Sequence, residues 1–143
     1  MTEDMKKISR RVIEEGFAKG KIEVMDELVA EGIVNHDETI PPELPSGREG
    51  IKALAQGYTN AFPDMALTVE DQVAEGDKVV TRWKARGTHQ GDLMGIPPTG
   101  KEGRVSGITI DRIKDGKIVE TWTNWDQLSL LQQLGVIPEM ARA

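Results

Sequence analysis

The sequence predicts an α+β fold: a curved antiparallel sheet with its helices packed on the concave side and a short C-terminal helix closing the chain. Three observations predict it. Apolar residues recur at helical spacing three times before Pro63, they alternate along most of residues 65–125, and helical spacing returns after Asp126.

From Thr2 to Lys19, Met5, Ile8, Val12, Ile13 and Phe17 fall three to five apart with charged residues between them, which describes an amphipathic helix. Ile22, Met25, Leu28 and Val29 repeat the pattern over a shorter helix closed near Gly32. Ile33 and Val34 follow, then the polar cluster Asn35-His36-Asp37, and the prolines at 41, 42 and 45 make the next stretch a loop. Gly47 to Phe62 is helical through Ile51, Leu54, Ala55 and Tyr58, and Pro63-Asp64 ends it. A first strand carries Met65, Leu67, Val69 and Val73 on its buried face, and Glu75-Gly76-Asp77 makes a turn. The next strand sets Val79, Thr81, Trp83 and Ala85 against Arg82, Lys84 and Arg86, so Trp83 points in and the cations point out. His89 stands near that strand's end, and Gly91 to Gly100 is a long loop of the kind that often serves function. Val105 to Ile113 is the third strand, and Asp115-Gly116 turns into the strand that carries Ile118, Trp122 and Trp125. Leu128, Leu130, Leu131 and Leu134 form the last helix, stopped by Gly135 and Pro138.

Size and charge narrow the partners. A chain of 143 residues suits one domain, residues 1–143, with a single core. Its 18 Lys+Arg against 24 Asp+Glu give a net charge of −6, which argues against nucleic acid and anionic membranes, whereas a neutral small molecule is indifferent to it. The absence of cysteine excludes disulfides, thiolate nucleophiles and Cys-ligated metals. No apolar run is long enough for a signal peptide core or a membrane span, so a cytoplasmic protein is expected. Two histidines and scattered acids form no spaced metal set, and neither a nucleophile elbow nor a phosphate-binding glycine loop is present.

Asp126 stands where strand becomes helix. It has two readings: a helix cap that accepts a first-turn N–H, or a carboxylate on the wall of an apolar pocket. The hairpin before it also has two. With a two-residue type I′ turn, Arg112 pairs with Val119 and faces away from Asp126; with a three-residue bulged loop it pairs with Ile118. The second register is preferred because it gathers Ile108, Ile110, Arg112, Ile118, Trp122 and Asp126 on one buried face. Arg112 then needs a carboxylate partner.

The phrases Val34-Asn35-His36-Asp37, Phe62-Pro63-Asp64, Gly87-Thr88-His89-Gln90-Gly91, Gly95-Ile96-Pro97-Pro98-Thr99-Gly100 and Ile118-Val119-Glu120-Thr121-Trp122, with Asp126 and Leu130-Leu131-Gln132-Gln133-Leu134-Gly135, resemble the SnoaL-like polyketide cyclases, or ester cyclases. The resemblance covers nearly the whole chain and implies their cone-shaped fold, shared with nuclear transport factor two. It implies ring closure by intramolecular aldol condensation on a polyketide ester, without metal or cofactor, with the Asp before the last helix as acid/base. Asp126 matches that Asp, and Arg112 stands where some of these cyclases carry a histidine fourteen residues earlier. A desolvated carboxylate could abstract the proton of an already acidic carbon, and a nearby donor could stabilise the enolate.

The expected catalytic set is therefore Asp126, His36 and Arg112, with Trp83, Trp122, His89, Asn35, Ile110 and Tyr58 around a small hydrophobic, aromatic-type substrate. Isomerase, dehydratase and hydrolase chemistry, or a non-catalytic binding protein of the same fold, are the alternatives. A homodimer or homotetramer is expected because open sheets protect their exposed faces by pairing.

Overall fold

The computed structural model describes residues 2–138. Helix α1 (Thr2–Arg11) runs on as a π-helical segment, Val12–Ala18, and is followed by α2 (Glu23–Leu28), β1 (Val29–Asn35), α3 (Gly47–Ala61), β2 (Ala66–Glu75), β3 (Lys78–Thr88), β4 (Glu102–Lys114), β5 (Lys117–Trp125) and α4 (Gln127–Gln133). One sheet of order β1-β5-β4-β3-β2 carries the helices on its inner face. Three of its pairings are antiparallel, but β1 lies parallel to β5 at the edge. The sequence expectation carried helix through Val29; the structure starts a strand there, because Val29 and Ile33 are buried and β-branched, and Gly32 weakens any helix. Among the described residues no helix is long and apolar enough to cross a membrane.

The first helix is built for its place. Glu3 and Asp4 in its first turn and Arg10 and Arg11 in its last complement the helix dipole. Arg11 then reaches Glu27 at 3.0 Å and ties the helix to α2. Gly16 lets Met25 come so close that a Cβ there would lie 2.6 Å from Met25 Cε, and Met25 is fully buried. Around it pack Val12, Val24, Leu28, Val29, Ile33, Ile51, Ile113 and Ile118. A second cluster, Ala61, Phe62, Leu93, Leu130 and Leu134, sits at the α4 end.

Two bulges decide which side chains face inward. In β2 the register slips between Val69 and Asp71, so Gln72 and Ala74 turn in and Val73, expected in the core, is 63% exposed. Gln72 uses the change to donate to Thr81 Oγ1 and to the Lys6 carbonyl, both at 3.0 Å. In the last hairpin Asp115 and Gly116 both have positive φ, 53° and 76°, as a two-residue type I′ turn requires. Lys114 pairs with Lys117 and Ile113 with Ile118, yet Arg112 pairs with Glu120, leaving Val119 as the extra residue. The preferred three-residue register is thus replaced by a tight turn with the bulge one step later. Consequently Thr109, Asp111, Thr121, Thr123 and Trp125 belong to the inner face, while Ile108, Ile110, Arg112 and Trp122 belong to the outer one.

Candidate functional site

Between the two apolar clusters the sheet and helices enclose a cavity of about 160 Å³. Its walls are mostly apolar: Val12, Ile13 and Phe17 from the π-helical turn, Ile51, Leu54, Tyr58 and Phe62 from α3, and Leu67, Trp83, Val105 and Trp125 from the sheet. A short polar stripe crosses them. Thr109 and Asp111 on β4 stand directly opposite Thr123 and Thr121 on β5, and Asn35 and Asp37 close the stripe at the end of β1. This pattern, an apolar hollow with a few convergent polar groups, is the usual form of a small-molecule site.

Asp111 is the chemically distinctive member. It is 4% exposed, and Thr121 Oγ1 donates to its Oδ1 at 2.8 Å. Burial pushes its carboxyl up to about 6, against the opposing pull of Thr121 and of Ser9, and no cation contributes. Ser9 is fully buried on α1 and its hydroxyl makes no well-formed hydrogen bond, so it remains a spare donor beside the carboxyl. Nearby, Trp83 Nε1 donates to Thr109 Oγ1 at 3.0 Å, and Thr109 and Thr123 hydroxyls lie 3.1 Å apart. Gly107 makes Trp83's position possible, since a Cβ there would lie 2.4 Å from Trp83 Cζ2. At the β1 end Asp37 Oδ1 accepts from the Thr39 N–H and hydroxyl at 2.9 and 2.7 Å, and Trp125 Nε1 donates to the same hydroxyl at 3.2 Å. Burial, followed by the Asp37 charge, pushes the Tyr58 phenol well above its ordinary range, so it stays protonated.

Of the residues expected in the site, Trp83, Asn35 and Tyr58 line the cavity. Asp126 does not. Its side chain caps α4, accepting the Ser129 N–H at 3.0 Å, and it is exposed, because Trp125 takes the inward position at the strand's end. Asp126→Ala is expected to cost about 1 kcal/mol of stability, the worth of a helix cap, measurable by urea unfolding, and to leave ligand binding in the cavity unchanged.

His36, Arg112 and Trp122 do meet one another, but on the outer face. His36 Nε2 lies 2.6 Å from Glu120 Oε2, Arg112 Nε lies 3.0 Å from Glu120 Oε1, and the His36 ring stacks on Trp122 at 5.0 Å. His36 and then Arg112 hold the Glu120 carboxyl below its ordinary value. The tight turn pairs Ile113 with Ile118 and so turns Arg112 outward, and the bulge at Val119 then places Glu120 opposite it on the same face. Ile110 shares that face, between Val80 and Trp122. His89 is buried but lies outside the cavity wall. It staples the Gly91 to Gly100 loop: its Nδ1 takes the Thr99 N–H at 3.3 Å and its ring packs on Phe62 at 5.5 Å.

Asp111, Thr109, Thr121 and Thr123 escaped the sequence reading, which gave the inner face to the isoleucines. The signal was present as Thr109-Asp111 alternating with Ile108-Ile110, but hydrophobicity favoured the wrong phase. Among the described residues no group of three or more His, Asp or Glu side chains could hold a metal ion.

Comparison with known proteins agrees with the architecture. IdmH from Streptomyces antibioticus, a candidate polyketide cyclase, is 39% identical with a TM-score of 0.78, over 92% of this chain and 99% of that one. A candidate polyketide cyclase from Bacillus cereus is 34% identical with a TM-score of 0.79, over 94% and 82%. TsrD from Streptomyces laurentii is 27% identical with a TM-score of 0.84, over 94% and 97%. No curated protein matches the sequence. The model of the SnoaL-like polyketide cyclases matches residues 7–134, and the chain belongs to that family.

Proposed function

We propose that the protein is a cofactor-independent acid/base enzyme acting on a small hydrophobic carbonyl compound, with Asp111 rather than Asp126 as its proton carrier. The observation that carries this reading is the Asp111 carboxyl, sunk in an apolar wall, raised to about 6 and unpaired with any cation. A base of that strength is ionised at neutral pH yet returns a proton readily, which suits removal of the acidic hydrogen of a β-keto ester and delivery of a proton to the alkoxide formed on ring closure. The Tyr58 phenol is a neutral donor on the same cavity, as is whichever of the Thr109 and Thr123 hydroxyls accepts from the other, and both are available to a developing enolate. Intramolecular aldol closure is the reaction most in keeping with the family, and enolate-forming isomerisation or dehydration would use the same groups.

One observation favours a second reading, a binding protein without turnover. The residue matching the cyclase acid/base is a solvent-facing cap. Deuterium exchange separates the two. Methyl benzoylacetate in deuterated buffer, followed by proton NMR, is expected to lose its activated C–H signal faster with enzyme than with buffer alone. Binding without acceleration would leave the second reading standing.

The outer sheet face, with Val73 63% and Ile108 46% exposed beside Ile110 and Trp122, is the surface we assign to a homodimer or homotetramer. Ile108→Glu is expected to shift the light-scattering mass toward the monomer; an unchanged mass would move the contact elsewhere.

A further inference from the structure

We propose that Ser9 is a positioning residue for Asp111: its hydroxyl turns onto the carboxyl's open oxygen when the proton leaves, and so sets how tightly this base holds a proton. The role given to Ser9 rests on the acid/base reading of Asp111 and deepens it. Ser9 is out of place by packing alone. Met5, Ile8 and Val12 make this face of the first helix apolar, yet Ser9 is the one buried residue of α1, at 0% exposure. Serine is a poorer helix former than alanine, and a buried hydroxyl without a bond costs free energy. A serine inside a helix often spends its hydroxyl on the carbonyl four residues back. Ser9 does not, for its Oγ has no hydrogen-bond partner. Alanine would serve better if filling space were all that the position required.

The packing of α1 brings that hydroxyl to Asp111. Gln72 fastens the helix across the inner sheet face by donating to the Lys6 carbonyl and to Thr81 Oγ1, both at 3.0 Å. Ile8 packs on the cluster that holds Val79 and Ile113, and Val79 lies directly opposite Asp111 across β3 and β4. Val12, one turn after Ser9, lines the cavity together with Asp111. Between these two contacts the Ser9 hydroxyl comes beside the carboxyl. Thr121 Oγ1 already donates to Asp111 Oδ1 at 2.8 Å, which leaves Oδ2 for a second donor.

A hydroxyl hydrogen rotates to suit its surroundings. Once Asp111 is ionised, the Ser9 O–H has a charged acceptor, and a bond to the charged form favours that form. Two hydroxyls, one from α1 and one from β5, then hold the carboxylate in a single orientation and offset part of what burial does to its proton affinity. The other titratable or charged groups on the cavity are Asp37 after β1, Tyr58 on α3 and Arg86 on β3. On α1 Lys6 pairs with Glu3 at 3.7 Å, and on β4 Arg112 points to the other face, toward Glu120. None of these acts on the Asp111 carboxyl, which answers to burial, Thr121 and Ser9.

The test is the titration of the Asp111 carboxyl, followed by carbon NMR on protein made with isotope-labelled aspartate and assigned with Asp111→Asn. Wild type is expected to titrate at about 6. Ser9→Ala should hold the proton roughly tenfold more tightly, moving the midpoint up by roughly one pH unit. The acid limb of deuterium exchange on methyl benzoylacetate, a one-ring ester, should move with it. Ile8→Val loosens the same helix without touching a hydroxyl and should leave the midpoint where it is. An unchanged midpoint in Ser9→Ala, or an equal rise in Ile8→Val, overturns the role given to Ser9. Ser9→Cys, close in size and a poor donor, decides the matter by the same rise if Ser9→Ala does not fold. A raised midpoint without exchange in any of the proteins would sink the acid/base reading and leave the hold of Ser9 on Asp111 standing. Exchange whose acid limb is the same in wild type and Ser9→Ala would sink the role of Ser9 alone.

Discussion

Asp111→Asn is expected to lower enzyme-accelerated deuterium exchange on methyl benzoylacetate by roughly 10²- to 10⁴-fold, the usual worth of a positioned base, while making the protein more stable at neutral pH. Both follow from burial. The folded state holds the Asp111 proton to about pH 6, whereas the ordinary carboxyl releases it near 3.8. The folded protein therefore binds the proton more tightly than the unfolded chain, and stability falls as pH rises from about 4 to about 6. Above that window the ionised carboxyl costs roughly 3 kcal/mol. Asparagine keeps an acceptor for Thr121 and never ionises, so the stability difference between variant and wild type should grow by up to roughly 3 kcal/mol between pH 4 and pH 8. Urea unfolding at both values reads it. A difference that does not change with pH would show that the carboxyl is solvated and would remove the argument for its basicity. In wild type, exchange should fall on the acid side of about pH 6.

Gly107→Val is expected to cost roughly 1–3 kcal/mol and to abolish binding of the one-ring ester. The Cβ alone would lie 2.4, 2.7 and 2.8 Å from three atoms of the Trp83 ring, inside van der Waals contact. Gly107 is held in the sheet by β3 on one side and β5 on the other, so the indole must move, and Trp83 is part of the cavity wall. Its hydrogen bond to Thr109 would break with the movement. Gly57→Ala is the control: nothing lies within 4 Å of a Cβ there, and alanine in mid-helix should raise stability by about 1 kcal/mol. Urea midpoints for the two variants should move in opposite directions; a shared direction would mean the Trp83 contact is not what matters.

The fold was legible because long-period patterns announce themselves. Met5 to Phe17, Ile51 to Phe62 and Leu128 to Leu134 repeat at helical spacing, and Val79 to Arg86 alternates cleanly enough that every inward and outward assignment there agrees with the structure. The site was less legible because single residues in turns and bulges set the register. A bulge is one residue long, leaves no compositional trace, and inverts every side chain beyond it. Val69 to Asp71 carried one such slip and exposed Val73; Val119 carried another and turned Glu120 and Trp122 outward, while the two-residue Asp115-Gly116 turn gave the inner face of β4 to Asp111 rather than Arg112. The charge expected to need a buried partner does have one, Glu120, but both stand outside. Trp83 and Tyr58 survived because no slip lies between them and the anchors that set their phase, and Asn35 reaches the cavity although the β1 register shifts between Val29 and Val34.

The parallel pairing of β1 with β5 has a consequence for how the molecule is made. His36 and Glu120, which meet at that seam, are 84 positions apart in the chain. The cavity wall at Asn35 and Asp37 cannot close until almost everything else has been synthesised and ordered, a long-range step of the kind that slows folding. During that interval the first helices would expose the greasy surface destined for the interior, so the nascent polypeptide, more than the finished protein, is the form at risk of aggregation.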